Sequence, residues 1–178
     1  MTVNKKEYIA IKTQDGVTKL TRGITVVEMF KGEAPLHVQR IIDLSNKGFY
    51  NGIKFHRVID GFIVQAGCPY GNGTGGSDQD DLKAEFNNIK HVEGVMSMAR
   101  SNDPDSANSQ FFIMLGKNSN LDGQYTVFGK VVSGMKYINM IKKGEGDDGS
   151  VAQPDLIEEM YVCDENGLRL SNALENPN

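Results

Sequence analysis

Eight short runs of β-branched and aromatic residues, each bounded by glycine, asparagine or aspartate, dominate this chain and commit it to a β architecture. They fall at residues 7–12, 23–30, 53–58, 62–66, 95–100, 110–115, 126–132 and 156–163. Strands this short and this regularly punctuated fit a closed barrel or a sandwich. Two segments carry a helical period instead. Over 35–47, Val38, Ile41, Ile42 and Leu44 form one apolar stripe, with Pro35 suited to the first turn and Gly48 to the stop. Over 134–143, Met135, Ile138 and Ile141 repeat the pattern, and Lys142 and Lys143 sit at the negative end of the helix dipole. Two helices set apart among eight strands suit a barrel plugged at its ends. The expected organisation is one domain over residues 1–165 and a polar tail over 166–178.

A chain of 178 residues, 39% hydrophobic and 24% charged, has the size and composition of one domain whose core needs neither disulfides nor metals. No apolar run approaches the roughly 20 residues that cross a bilayer, so no membrane partner is expected. A net charge of −4 without Lys/Arg blocks argues against nucleic acid. Residues 1–7 carry charge but no apolar stretch, which does not read as a secretory leader. Cys68 and Cys163 lack metal-ligand spacing. One disulfide remains open, but two buried thiols in a reducing compartment is the favoured reading. A cytoplasmic monomer is the corresponding expectation.

Several motifs mislead. Gly71-Asn72-Gly73-Thr74-Gly75-Gly76 satisfies G-x-G-x-x-G, but it runs into Ser77-Asp78-Gln79-Asp80-Asp81, whose charge would repel a pyrophosphate. A flexible surface loop is the better reading. Asn72-Gly73-Thr74 matters as a glycosylation acceptor only in a secreted chain. Asp78, Asp80 and Asp81 lack calcium-loop spacing. His37, His56 and His91 form no H-E-x-x-H, and no G-x-S-x-G elbow occurs. Neither a metal nor a cofactor is called for.

Three segments do carry a signal. Phe55-His56-Arg57-Val58-Ile59-Asp60-Gly61-Phe62-Ile63-Val64-Gln65-Ala66-Gly67 reads as a hairpin turning at Asp60-Gly61, its apolar strands interrupted by Arg57 and Gln65. Taken alone, both interruptions are most simply solvent-facing residues. In Ser109-Gln110-Phe111-Phe112-Ile113, alternation puts Phe111, Ile113 and Leu115 on a core face. Gln110 and Phe112 share the other face, an amide beside an exposed ring, which is an odd surface unless something binds there. Asn120-Leu121-Asp122-Gly123-Gln124-Tyr125-Thr126-Val127-Phe128-Gly129 adds Leu121 and Tyr125 at a loop-to-strand junction.

In order and spacing these segments resemble the cyclophilin family of peptidyl-prolyl isomerases. The likeness runs from about Gly23 to Cys163, and Gly94-Val95-Met96-Ser97-Met98-Ala99-Arg100 is similar to the family's G-x-x-S-M-A strand. The compact loop ending Leu82-Lys83-Ala84-Glu85-Phe86 looks most like bacterial members. The resemblance implies an eight-stranded antiparallel closed barrel capped by two helices, with a proline site on its outer surface. Arg57, Phe62, Gln65, Ala99, Gln110, Phe112 and Leu121 match the family's site identities. Ile63 stands where Met is usual, a volume-similar change. Tyr125 replaces a common His, and Arg100 sits where Asn is common, at a point where the family uses mainly backbone. Asn120 replaces an aromatic residue, which implies weak binding of cyclosporin.

The implied reaction is rotation about X-Pro bonds of proline-containing polypeptides, assisting their folding. An amide resists rotation by about 18–20 kcal/mol because nitrogen shares its lone pair with the carbonyl. A catalyst must therefore hold the twisted amide better than either planar isomer. On this reading the Arg57 guanidinium donates to the nitrogen that has recovered its lone pair, with Gln65 and Phe112 completing the catalytic set. Phe62, Ile63, Phe112 and Leu121 grip the proline ring, while Gln65, Gln110 and the backbone at Ala99 and Arg100 hold the flanking chain. Two other classes compete: a non-catalytic proline-binding or scaffolding module, and a lipocalin-like barrel enclosing a ligand. Arg57 argues against the first, and the large residues Phe111, Phe128, Met96 and Met98 argue against the second.

Overall fold

The computed structural model describes residues 5–170. Its strands are β1 (Glu7–Gln14), β2 (Thr21–Met29), β3 (Arg57–Ile59), β4 (Ile63–Ala66), β5 (Val95–Met98), β6 (Phe111–Met114), β7 (Val127–Ser133) and β8 (Leu156–Cys163). Helix α1 covers Pro35–Asn46, α2 covers Met135–Asn139, and a 3-10 turn spans Ser119–Leu121. The strands form one sheet in the order β3-β4-β6-β5-β7-β2-β1-β8, antiparallel at every ladder. Residues 171–178 of the expected tail and the start of the chain over 1–4 lie outside the described residues.

Strand alternation sorts side chains between two apolar regions. Val64, Met96, Met98, Phe111, Ile113 and Phe128 point into the curl of the sheet and are fully buried there. The interior is filled by these side chains, as a small barrel requires. Ile63, Val95, Phe112, Met114 and Val127 point outward and form a second, smaller core on the outer surface.

The expected closed barrel needs correction, because the sheet curls but its ends do not join as a ladder. At that seam the segment before β3 meets β8 through a Lys54–Leu156 bridge and the bonds Ile157 N to Ile53 O (2.8 Å) and Phe55 N to Asp155 O (2.9 Å). The expected strand at 53–58 accordingly begins only at Arg57. The outer edge of β3 is taken instead by the loop 144–151, with Val58 donating to Gly149 O and Gly144 donating to Val58 O, both at 2.8 Å. That loop protects an edge strand which would otherwise be open to strand pairing.

Helix α1 starts at Pro35 without a capping side chain of its own. The Glu85 carboxylate supplies the cap from a distant loop, accepting from Leu36 N (3.1 Å) and His37 N (2.9 Å). This satisfies two orphan donors and places negative charge at the positive end of the helix. Arg40, buried on the same helix, donates to the carbonyls of Asn108 and Asp80 and so ties two long loops together. Helix α2 is shorter than its apolar period. It enters through Gly134 at φ 79°, where a Cβ would lie 2.4 Å from Ile24 O. It ends early because the buried Asp155 carboxylate draws off the Lys142 amide (2.9 Å).

Residues 164–170 turn back along β8, with Leu170 N donating to Val162 O at 3.0 Å and Arg169 stacked over the Tyr161 ring. The folded unit thus runs past residue 165, where the tail was expected to begin. Both cysteines are buried free thiols. Burial pushes Cys163 up to about 12, whereas at Cys68 burial is outweighed by the loop N–H groups of Asn72, Gly75, Tyr70 and Gly73, and its pKa is lowered.

Candidate active site

The strand register brings together residues that are far apart in sequence. Arg57 on β3 pairs with Gln65 on β4, Gln65 with Phe112 on β6, and Phe112 with Ser97 on β5. Neighbouring strands lie about 4.8 Å apart, so these four form one row across the outer face. Ile63, two residues from Gln65, shares that face. Arg57, Gln65 and Phe112 of this row floor a slot of about 200 Å³, which Phe62, Ile63, Ala99, Arg100, Leu121 and Tyr125 also line.

One end of the row is polar and held by a directed chain of hydrogen bonds. Arg57 Nη1 donates to Gln65 Oε1 (3.0 Å), and Gln65 Nε2 donates to Gln110 Oε1 (3.1 Å). Gln110 Nε2 then donates to the carbonyls of Gly73 (3.0 Å) and Gly75 (2.9 Å). A guanidinium can only donate, which fixes both amide orientations along the chain. Arg57 Nε donates to the Asp148 carbonyl at 2.9 Å. Two acceptors therefore hold the guanidinium plane, while Nη2 has no acceptor among the described residues.

The other end is apolar, and here one expectation changes. Phe112 lies on the outward face as alternation required, yet it is only 4% exposed. Loops cover the ring: Tyr125 meets it edge-on at 5.6 Å and His91 stacks beneath it at 6.1 Å. His91 is anchored in turn, with Nδ1 3.0 Å from Asp122 Oδ1 and Nε2 2.9 Å from Ser97 Oγ. A carboxylate only accepts, so Nδ1 carries a proton toward Asp122, while Ser97 Oγ beside Nε2 donates its own proton to the Thr126 carbonyl at 3.1 Å. Burial holds the His91 pKa below the ordinary histidine range despite Asp122, and the His91 N–H groups lower that of Asp122. Nothing in the local sequence around His91 signalled this support.

The Arg100 side chain is anchored at the slot's wall. It donates to Gln124 O from Nε (2.9 Å) and Nη2 (2.7 Å) and to Ser101 O from Nη1 (2.8 Å). Its guanidinium lies 4.5 Å above the Tyr125 ring. Asn120 lines neither the slot nor the pocket beside it: it is exposed on the 3-10 turn, and its neighbour Leu121 lines the slot instead. Gln110 lines the adjoining polar pocket of about 460 Å³, which shares Gln65, Ala99 and Arg100 with the slot. The Gly71–Gly76 run forms part of that wall, and no helix follows it. His56 lines neither cavity, and burial followed by the neighbouring Arg57 charge lowers its pKa. Among the described residues no three His, Cys, Asp or Glu side chains group closely enough to hold a metal ion.

Residues 8–162 match the family described as cyclophilin type peptidyl-prolyl cis-trans isomerase/CLD. A "Probable peptidyl-prolyl cis-trans isomerase" of Brucella suis is 48% identical over 153 residues, covering 79% of this chain and 78% of that protein. A peptidyl-prolyl cis-trans isomerase of Helicobacter pylori is 40% identical over 159 residues, covering 87% and 97%. The crystal structure of a cyclophilin-type isomerase from Cryptosporidium parvum aligns with a TM-score of 0.80 at 27% identity, covering 90% of this chain and 99% of that one. A second structure of that protein, in the presence of the dipeptide Ala-Pro, aligns with a TM-score of 0.77.

Proposed function

The chain belongs to the cyclophilin family of peptidyl-prolyl cis-trans isomerases, and from that premise we propose that the outer slot is where an X-Pro bond is turned. The observation that carries this reading is a guanidinium held at two points beside a small slot whose far end is apolar. Proline's ring fits against Phe62, Ile63, Phe112 and Leu121, which leaves the preceding carbonyl free to swing. As the amide twists, its nitrogen regains a lone pair and becomes an acceptor for Arg57 Nη2. That bond exists only in the twisted state, so it lowers the barrier without tightening either planar isomer. The polar pocket beyond Gln110 takes the chain on the proline's N-terminal side. A pure binding module has no use for such a donor.

No proton moves in this scheme. Exchange of a short Ala-Pro peptide, followed by NMR, should accelerate in the presence of the protein, at a rate per folded molecule that stays flat from about pH 6 to 9. A chelator should leave it unchanged. A bell-shaped profile that vanishes in His56→Gln would instead mean proton transfer.

Stability should behave differently from turnover. His37, His56 and His91 are all held below their ordinary value of 6.5, in each case chiefly by burial. The unfolded chain then binds more protons than the folded one, so stability is highest above that value and declines as pH falls through it. Denaturant midpoints that rise from pH 7 to 5 would contradict this.

Clients are proline-containing polypeptides met during folding, and two buried thiols suit a monomer working in the reducing cytoplasm. Cyclosporin should bind weakly, because Asn120, exposed on the turn next to Leu121, offers it no ring. Asn120→Trp should tighten that binding by about 1–2 kcal/mol in a calorimetric titration. Tight binding by the unaltered protein would refute the assignment.

A further inference from the structure

The loop 144–150 carries an arrangement that edge protection alone does not require. Its backbone is pinned along β3 from both sides, by Val58 N to Gly149 O and by Gly144 N to Val58 O. Gly149 adopts φ 74° and passes so close to β3 that a Cβ would lie 2.5 Å from Ile59 Cγ1. Immediately before it, the Asp148 carboxylate folds back onto Ser150, accepting from Ser150 N at 3.1 Å and from Ser150 Oγ at 3.0 Å. Those two bonds, the N–H foremost, hold the carboxyl below its ordinary pKa. The result is an Asx turn, in which a side chain sets the direction of its own peptide group. The carbonyl so directed is the one that receives Arg57 Nε at 2.9 Å.

Resting on the reading of Arg57 given above, we infer that Asp148 is a positioning residue for the catalytic guanidinium. Gln65 restrains only one corner of the fork, and a plane held at one corner still pivots. The Asp148 carbonyl supplies the second point and turns Nη2 toward the slot. Because Arg57 acts on the twisted amide alone, misplacing it lowers kcat and leaves KM in place.

The test compares kcat and KM for a short Ala-Pro peptide, per folded molecule, in the full chain and its variants. Asp148→Ala removes both turn bonds and should lower kcat about tenfold at unchanged KM, the scale of a modest misplacement of a catalytic group. Asp148→Asn keeps an acceptor for Ser150 N and should restore most of the rate. In an Arg57→Ala background, Asp148→Ala should cost nothing further. Exchange of the Arg57 Nε proton with water, read by NMR, should quicken in Asp148→Ala whatever the effect on stability. Wild-type kcat in Asp148→Ala, an equal loss in the Arg57→Ala background, or an unaltered Nε exchange rate would each overturn the inference. Wild-type kcat in Arg57→Ala itself would refute the parent reading instead.

Discussion

Arg57→Ala is expected to cut turnover of an Ala-Pro peptide by on the order of 10²–10³, the usual loss for one preorganised transition-state donor. Peptide affinity should change little, because the planar isomers do not use the donor. The fold should persist: Arg57 is half-buried on the outer face, and its neighbour Val58 carries the inward packing of β3. Arg57→Lys is the sharper comparison. A lysine keeps the charge and has three N–H donors, but they radiate from one atom on a flexible stem and cannot span the Gln65 and Asp148 acceptors as the planar fork does. Its turnover should therefore lie near that of the alanine variant. Saturation kinetics with a thermal melt decide the matter, and a variant that loses affinity while keeping its rate per bound complex would remove Arg57 from the chemistry.

Phe112→Ala is expected to damage stability and catalysis together. The ring is 4% exposed and packs between His91 and Tyr125. Removing a buried phenylalanine costs about 3–5 kcal/mol, a large share of the roughly 5–15 kcal/mol that holds a domain folded. It also removes one wall of the slot, so affinity and turnover of the remaining folded protein should fall as well, since the ring touches proline in ground and transition states alike. Phe112→Leu separates the two effects by restoring most of the volume without the flat face. It should recover much of the stability and little of the activity. Full activity in Phe112→Leu would show that the ring only fills space, and an unaltered melt in Phe112→Ala would show that the outer core does not depend on it.

Alternation within each strand was legible from the residues alone, because side chains on a strand change face at every step whatever the strand packs against. It puts Gln110 and Phe112 outward and Phe111, Ile113 and Leu115 in the interior, and Arg57 and Gln65, as polar interruptions of apolar strands, read as solvent-facing. The punctuation by glycine, asparagine and aspartate also marked eight strands, and the 3.6-residue period marked two helices. The residues could not show the register that sets Arg57 beside Gln65 and Gln65 beside Phe112, since pairing between strands is a property of the assembled sheet. Nor could they show that loops would bury Phe112, because a face that alternation leaves outside the barrel is exposed only if no other segment covers it. His91 from an earlier loop and Tyr125 from a later one do cover it, and the loop at Asp148 reaches Arg57 from 91 residues further along the chain. The helix ends went the same way. Glu85 caps α1 and Asp155 shortens α2 from positions that no local pattern connects to them. Local geometry is written in neighbouring residues, whereas closure of the sheet, cover of the slot and aim of the guanidinium depend on contacts that exist only once distant segments have met.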